Sequence, residues 1–281
     1  MKILWNSNAP HCNSGYGVQT KHMLAGLRQL GHEVALAPNY GITGSLISAE
    51  GMPIYPELGQ EGICRHVKHF GADLVVTLYD AWPYNVDFAA SLKVPWAPWF
   101  PQDSYPAAPM VAARLRTADY PIAISRFGQQ SMAECGIACD YIPHGVDVNT
   151  YKPLDKAECR AQFEIPDDKF VVLMVAANQS FPSRKSFPEA LSAFAEFHRT
   201  HPNSILHLHT TALPKEKILE GIELWPLINA LGISDCTVFT DGYLMRLGIS
   251  DTEMAKIYNA ADVLLNPSMG EGFGVPIIEA Q

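Results

Sequence analysis

Apolar runs of four to seven residues alternate along this chain with stretches of helical period. That rhythm is the mark of βαβ units and of a parallel sheet covered on both faces. In the first half it predicts strands over residues 2–6, 33–38, 73–78, 94–100, 120–125 and 140–143, with helices between them. The clearest of those helices covers 17–30 and ends at the stop signal Gly31-His32. A second series follows Pro153, with strands over 170–176, 204–210, 236–240 and 262–266 and helices over 188–200, 215–231 and 252–260. The pattern predicts an α/β protein of two Rossmann-like, doubly wound parallel-sheet domains, 1–150 and 151–281, the second incomplete. Residues 142–153 carry Pro143, Gly145 and Pro153, so the connector is expected to be an extended hinge rather than a helix.

The densest chemical pattern closes the chain: Gly270-Glu271-Gly272-Phe273-Gly274-Val275-Pro276-Ile277-Ile278-Glu279-Ala280. It stands directly behind the strand that runs into Asn266-Pro267. Two glutamates flank a glycine-rich turn that opens a helix, which is how a backbone-lined pocket for hydroxyls and phosphates is built at the end of a parallel strand. The chain stops at Gln281, one or two turns into that helix, without a glycine cap, a terminating proline or a following strand. It reads as a truncated protein.

Composition narrows the classes. A hydrophobic fraction of 48% over 281 residues suffices for two cores and argues against disorder. A formal charge of −9, with no run of five or more Lys/Arg, leaves no basic stripe, so no nucleic-acid partner is expected and any phosphate site is local. Met1-Lys2-Ile3-Leu4-Trp5-Asn6 turns polar too soon for a signal-peptide core, and no stretch reaches the roughly 18 apolar residues of a spanning helix. A cytoplasmic chain without a transmembrane segment is expected. Six cysteines without a repeating framework read as reduced thiols. Of the ten histidines, His207 and His209 share a strand face, but no Cys, Asp or Glu cluster beside them completes a coordination set. Packed histidines and no metal site are expected.

Two loops could meet an anion. Asn13-Ser14-Gly15-Tyr16-Gly17-Val18 leads into the helix of Lys21 and His22, where glycines let backbone approach a ligand and a helix amino terminus attracts negative charge. It is neither a full G-x-G-x-x-G nor a Walker loop, and simple chain reversal explains it equally well. Behind the strand 170–176 comes Ala177-Asn178-Gln179-Ser180-Phe181-Pro182-Ser183-Arg184-Lys185-Ser186. Adjacent cations there suit a diphosphate, because Arg offers a planar fork of donors and Lys a compact charge. A solvated loop is the alternative; the glutamate–glycine loop two units later argues for the ligand. Loops rich in Pro and Trp at 80–84 and 96–109 follow predicted strand ends, where open α/β sheets place ligands, although packing under a loop accounts equally for Trp82, Trp96 and Trp99.

The segment Glu253-Met254-Ala255-Lys256-Ile257-Tyr258-Asn259-Ala260-Ala261-Asp262, continued by Pro267-Ser268, Glu271-Gly272-Phe273-Gly274 and Glu279-Ala280, resembles the signature of glycosyltransferase family 4. That signature is two glutamates separated by seven residues. Ser14-Gly15-Tyr16-Gly17, Gly31-His32-Glu33-Val34, Ile142-Pro143-His144-Gly145-Val146-Asp147 and Arg184-Lys185 are similar to the family in order and spacing. The resemblance implies a GT-B fold and retaining, metal-independent transfer of a hexosyl group from a nucleotide-diphosphate sugar. It implies no cofactor beyond that substrate, and an acceptor that is carbohydrate, lipid-linked or small. It also implies roles: Glu279 for the ribose, Glu271 with the amides of Gly272, Phe273 and Gly274 for the sugar, Arg184 and Lys185 for the leaving diphosphate, and Gly15 and Gly17 for a phosphate contact. Asp103, with Asp80 and Ser125, falls on the acceptor side.

The chain departs from the family where Ala177-Asn178 replaces a common Gly-Arg pair and where Ser14-Gly15 replaces Gly-Gly. The roles of Arg184 and Lys185 are therefore not separable by resemblance. Three other readings stand beside this one. A nucleotide-sugar epimerase would gather more carboxylates and histidines around the sugar, and a non-catalytic nucleotide-sugar-binding or partner-interaction domain would bind without turnover. A dinucleotide oxidoreductase would need a glycine fingerprint followed by an acid.

Overall fold

The computed structural model describes residues 1–12, 14–40, 42–212 and 221–281. The chain divides into two compact units, Met1–Gly145 and Val146–Gln281. The first contains β1 (Lys2–Asn8), α1 (Gly15–Gln29), β2 (Glu33–Tyr40), β3 (Ile47–Ala49), β4 (Met52–Ile54), α2 (Gly59–Phe70), β5 (Leu74–Leu78), α3 (Phe88–Leu92), β6 (Trp96–Phe100), α4 (Pro109–Leu115), β7 (Ile122–Ala123), α5 (Arg126–Glu134) and β8 (Asp140–Tyr141). Among the described residues they form an eight-stranded sheet in the order β3-β4-β2-β1-β5-β6-β7-β8. Every pairing is parallel except the β3–β4 hairpin at the edge.

The strand order reverses between β1 and β5, and the carboxyl ends of those two strands are where such a sheet opens a crevice. Central strands are buried along their length, as a parallel sheet covered on both faces requires. Their tryptophans are packed: Trp5 Nε1 donates to Thr20 Oγ1 at 3.1 Å, Trp96 Nε1 to Thr77 Oγ1 at 3.0 Å, and Trp99 Nε1 to the Ile142 carbonyl at 2.7 Å. Of the three tryptophans considered for a ligand loop, Trp96 and Trp99 thus belong to the core, while Trp82 is 55% exposed.

The second unit contains α6 (Lys156–Gln162), β9 (Phe170–Val175), α7 (Phe187–Thr200), β10 (Ser204–His209), α8 (Leu224–Ala230), β11 (Thr237–Phe239), α9 (Gly242–Leu247), α10 (Asp251–Ala260), β12 (Val263–Leu264) and α11 (Val275–Glu279). Its described strands form a parallel sheet in the order β11-β10-β9-β12. Of the helix expected over 215–231, residues 215–220 lie outside the described residues and the described remainder is α8. The strands expected over 120–125 and 140–143 shrink to β7 and β8. The connector is extended only as far as Asp147, whose carbonyl accepts from Thr150 and Tyr151 N–H and whose carboxylate accepts from Asn149 N–H at 3.0 Å, closing a turn. Among the described residues, no helix is long and apolar enough to cross a membrane.

An ion pair made by a buried arginine ties this unit together. Arg160, on α6, is 4% exposed and donates from Nε to the Ala260 carbonyl at 3.0 Å, from Nη1 to the Asp167 carbonyl at 2.6 Å and from Nη2 to Asp262 Oδ2 at 2.7 Å. Asp262 also accepts from Val171 N–H at 2.7 Å and Lys156 Nζ at 2.9 Å. Burial alone raises its pKa, but the Val171 amide, Lys156 and Arg160 outweigh that and hold the carboxylate below its usual range. Asp262→Ala leaves Arg160 buried without its anion, and is expected to cost about 3–5 kcal/mol in urea denaturation. Asp262→Ala unfolding within about 1 kcal/mol of the parent contradicts this account.

Candidate active site

In the first unit, α1 begins at the crevice behind β1. Ser14 caps it, its Oγ accepting from Gly17 N–H at 3.1 Å. A Cβ on Gly17 would stand 2.3 Å from the Cys12 carbonyl oxygen and 3.0 Å from that of Ala9. The close backbone approach foreseen for Gly17 is therefore to the chain's own carbonyls, and its amide is spent on the cap. Gly15 stands exposed at the first helical position. Tyr16 donates to Asp80 Oδ2 at 3.3 Å across the switch between β1 and β5. Burial, then the charges of Asp80, Tyr79 and Asp103, lift its phenol well above the ordinary value, which places Asp103 near this group. Ser125 caps α5, accepting from Gly128 N–H at 3.0 Å, so its hydroxyl is structurally engaged.

The second unit brings Arg184, Lys185 and Glu271 together. The loop after β9 is anchored by buried Asn178, which donates to the carbonyls of Thr211 (3.1 Å) and Ile222 (2.6 Å) and accepts from Ile222 N–H (2.9 Å). The Asn178 that departs from the family pattern thus holds the loop in place. From there the chain turns into α7, and Arg184 and Lys185 meet the loop that follows β12. Met269 N–H donates to the Arg184 carbonyl at 2.9 Å, Arg184 Nη1 donates to the Gly270 carbonyl and lies 3.9 Å from Glu271 Oε2, and Lys185 Nζ donates to Glu271 Oε1. Burial pushes the Glu271 carboxyl up, but the bonds from Lys185 and Ser268 and the charges of Lys185 and Arg184 leave it below the usual carboxylate range.

Gly274 opens α11 at φ +82°, a conformation that disfavours any side chain, and it is buried beside Ile277 and Glu271. Gly272 and Phe273 complete the turn and are partly exposed. At the far end of α11 Glu279 accepts from the Tyr258 hydroxyl at 2.7 Å. Tyr258, Tyr151 and Asp262 are site-building residues that the sequence motifs did not single out, and Asn178 stood out there only as a departure from the family pattern. Tyr258 and Asp262 lie inside the quoted signature segment but are polar or aromatic residues whose partners stand far off in sequence. Glu271 and Glu279 therefore occupy different surroundings, one between cations and the other beside phenols.

Packed histidines complete the picture. His207 Nε2 and His209 Nδ1 both meet Thr240 Oγ1 at 3.0 Å, and His144 packs edge-on to Trp99 with ring centroids 4.8 Å apart. Among the described residues no group of three or more His, Cys, Asp or Glu is placed to hold a metal ion.

The fold can now be compared with known ones. A glycosyltransferase from Rickettsia africae superposes with a TM-score of 0.70 at 15% identity, covering 99% of this chain and 76% of that one. WaaG, a glycosyltransferase involved in lipopolysaccharide biosynthesis, superposes with a TM-score of 0.69 at 14% identity, covering 100% and 78%. A structure described as trehalose-6-phosphate from E. coli bound with UDP-2-fluoro glucose gives 0.68 at 11%, covering 100% and 81%. The fold is that of the GT-B glycosyltransferases, two Rossmann-like domains. In sequence, the chain is similar to the D-inositol 3-phosphate glycosyltransferase of Segniliparus rotundus, 32% identical over 142 residues, and to that of Acidothermus cellulolyticus, 31% identical over 143 residues. Each match covers 50% of this chain, but only 29% and 30% of the relatives. The matched stretch thus spans under a third of their length. No protein-family profile matches the chain.

Burial lowers the pKa of His144, His207 and His209 from 6.5 to about 4. Each is neutral in the folded chain and takes up a proton more readily once unfolded. Stability is therefore unaffected above about pH 6.5 and falls as pH drops from about 6.5 toward 4, by up to about 1.4 kcal/mol per pH unit for each histidine. Urea denaturation at pH 7.5 and 5 measures it; replacing His207 by Gln should flatten part of the slope, and an unchanged slope contradicts the assignment.

Proposed function

We propose that this chain belongs to a retaining, family 4 type glycosyltransferase that moves a sugar from a nucleotide-diphosphate donor held by the second unit. The observation that carries the reading is the Arg184–Lys185–Glu271 cluster, two cations on the loop behind β9 gripping the first glutamate of the two-glutamate motif. Glycosyltransferase relatives in sequence, and a neighbour of the same fold bound with UDP-2-fluoro glucose, support it.

In this reading Arg184 and Lys185 neutralise the leaving diphosphate. The bond between the anomeric carbon and the diphosphate oxygen breaks, the acceptor oxygen bonds to that carbon on the same face, and the departing diphosphate takes the acceptor proton. The products are a glycoside and a nucleoside diphosphate, and no carboxylate nucleophile is needed. Glu271 neutralises the two cations before the donor arrives. When the diphosphate takes its place, the carboxylate is released toward the sugar hydroxyls beside the amides of Gly272, Phe273 and Gly274. Glu279 receives the ribose diol. Gly15 offers the phosphate contact at the start of α1. Asp103, whose charge reaches Tyr16, belongs to the acceptor side.

Ligand-observed NMR with UDP, GDP, ADP, their sugar conjugates and NAD tests the reading. One nucleotide class should bind selectively, and Lys185→Ala and Glu279→Ala should each weaken it by about tenfold or more, the scale of a lost charge-assisted hydrogen bond. Binding of none, or of NAD alone, sinks the proposal; binding without transfer or hydrolysis points to the non-catalytic domain instead.

A further inference from the structure

Glu279 is gripped from two directions. Tyr258 on α10 donates to its Oε2 at 2.7 Å, and Tyr151, from the turn closed by Asp147, presents its hydroxyl toward the same carboxylate. The two rings meet edge to face with centroids 6.1 Å apart, so each holds the other in place. Tyr258 is 8% exposed, while Tyr151 and Glu279 are partly exposed. A glutamate side chain has three rotatable bonds, and donors arriving from two separate elements fix the plane of its carboxylate before any ligand binds. An ionised carboxylate has about four acceptor positions. The Tyr258 phenol occupies one of them, and with Tyr151 drawn onto a second about two remain, the number a cis diol requires.

We propose that Tyr151 and Tyr258 are positioning residues that clamp the Glu279 carboxylate in the orientation that accepts both hydroxyls of a donor ribose, so that the pair sets selectivity for ribo- over 2′-deoxynucleotides. This inference rests on the donor-site reading above. The phenols are suited to the task because burial, then the charge of Glu279, pushes both well above the ordinary tyrosine range, so they remain donors. Burial also lifts Glu279, and the two phenol bonds counter that; Asp251 on α10 adds a like charge facing Glu279, and Asp251 and Asp147 face Tyr151. Both tyrosines are remote in sequence from the glutamate.

The experiment uses the whole chain and four variants: Tyr151→Phe, Tyr258→Phe, the double variant and Glu279→Ala. Dissociation constants are measured for the nucleoside diphosphate that binds and for its 2′-deoxy counterpart. The parent chain should prefer the ribonucleotide by about tenfold. Each single Phe should erode that preference, and the double variant should approach Glu279→Ala, while affinity for the deoxynucleotide, which offers Glu279 only its 3′-hydroxyl and keeps its diphosphate contacts, should fall less than that for the ribonucleotide. In parallel, the ¹³C carboxyl signal of Glu279 is titrated in the ligand-free proteins. Phenol hydrogen bonds favour the charged form, so each Phe should raise the carboxyl pKa. Folded tyrosine variants with an unchanged ribose preference, in a chain whose binding does depend on Glu279, sink the clamp alone. A parent chain that binds no nucleotide sinks the donor-site reading and the clamp with it.

Discussion

The second unit depends on the ion pair of buried Arg160 with Asp262. Asp262 stands one residue before β12 and accepts from Val171 N–H, which sets β12 beside β9 in the register Val263 opposite Val172 and Leu264 opposite Leu173. A strand of two residues has little ladder of its own to hold that register. The guanidinium supplies what the short strand lacks, because it satisfies Asp262 and the Ala260 and Asp167 carbonyls at once. Fixing β12 aims the following loop at the loop behind β9, and there Met269 and Gly270 bond to Arg184. The cluster of opposite charges at the site follows from a structural ion pair nearer the other end of the sheet.

Two glutamates of one motif have been given opposite surroundings. Glu271 sits between Lys185 and Arg184, and they outweigh its burial, so its pKa falls. Glu279 has neutral phenols and a nearby Asp251, so burial prevails and its pKa rises. Different environments fit identical side chains for different work. A carboxylate bound to cations stands where an anionic ligand would stand and can be displaced by a stronger one. A carboxylate bound to hydroxyl donors is already set in the kind of contact a sugar hydroxyl makes.

The first unit spends its polar groups on itself at the crevice. The Tyr84 hydroxyl donates to Asn6 Oδ1 at 2.6 Å, and Asn6 Nδ2 donates to the Ala37 carbonyl and Asn39 Oδ1, both at 2.7 Å. Ser7 Oγ closes on the Leu78 carbonyl at 2.7 Å. These bonds stitch the carboxyl ends of β1, β2 and β5 into a rigid floor. Tyr16 and Asp80 stand above it, joined to each other.

Much was legible in the residue order because it is local chemistry. Continuous apolar runs and helical periods marked β1, β2, β5, β6, β9, β10 and most of the long helices, since strands buried on both faces and helices buried on one leave their print in consecutive residues. The two-glutamate motif and the adjacent cations of Arg184-Lys185 also announced themselves. Strands of two or three residues, β3, β4, β7, β8, β11 and β12, are too short to carry a period; β3 and β4 were missed, and the expected forms of β7, β8, β11 and β12 were too long. What only tertiary structure decided was partnership. Gly17 proved to be packed under carbonyls, Ser125 to be a helix cap, and Trp96 and Trp99 to be core, because their neighbours come from other segments. Sequence alone determined which chemical groups this chain owns and in which order its main strands and helices follow one another. The fold decided that Glu271 meets Lys185 across 86 residues and Glu279 meets Tyr258 across 21, because hydrogen bonds and ion pairs act over a few ångströms of space and take no account of separation along the chain.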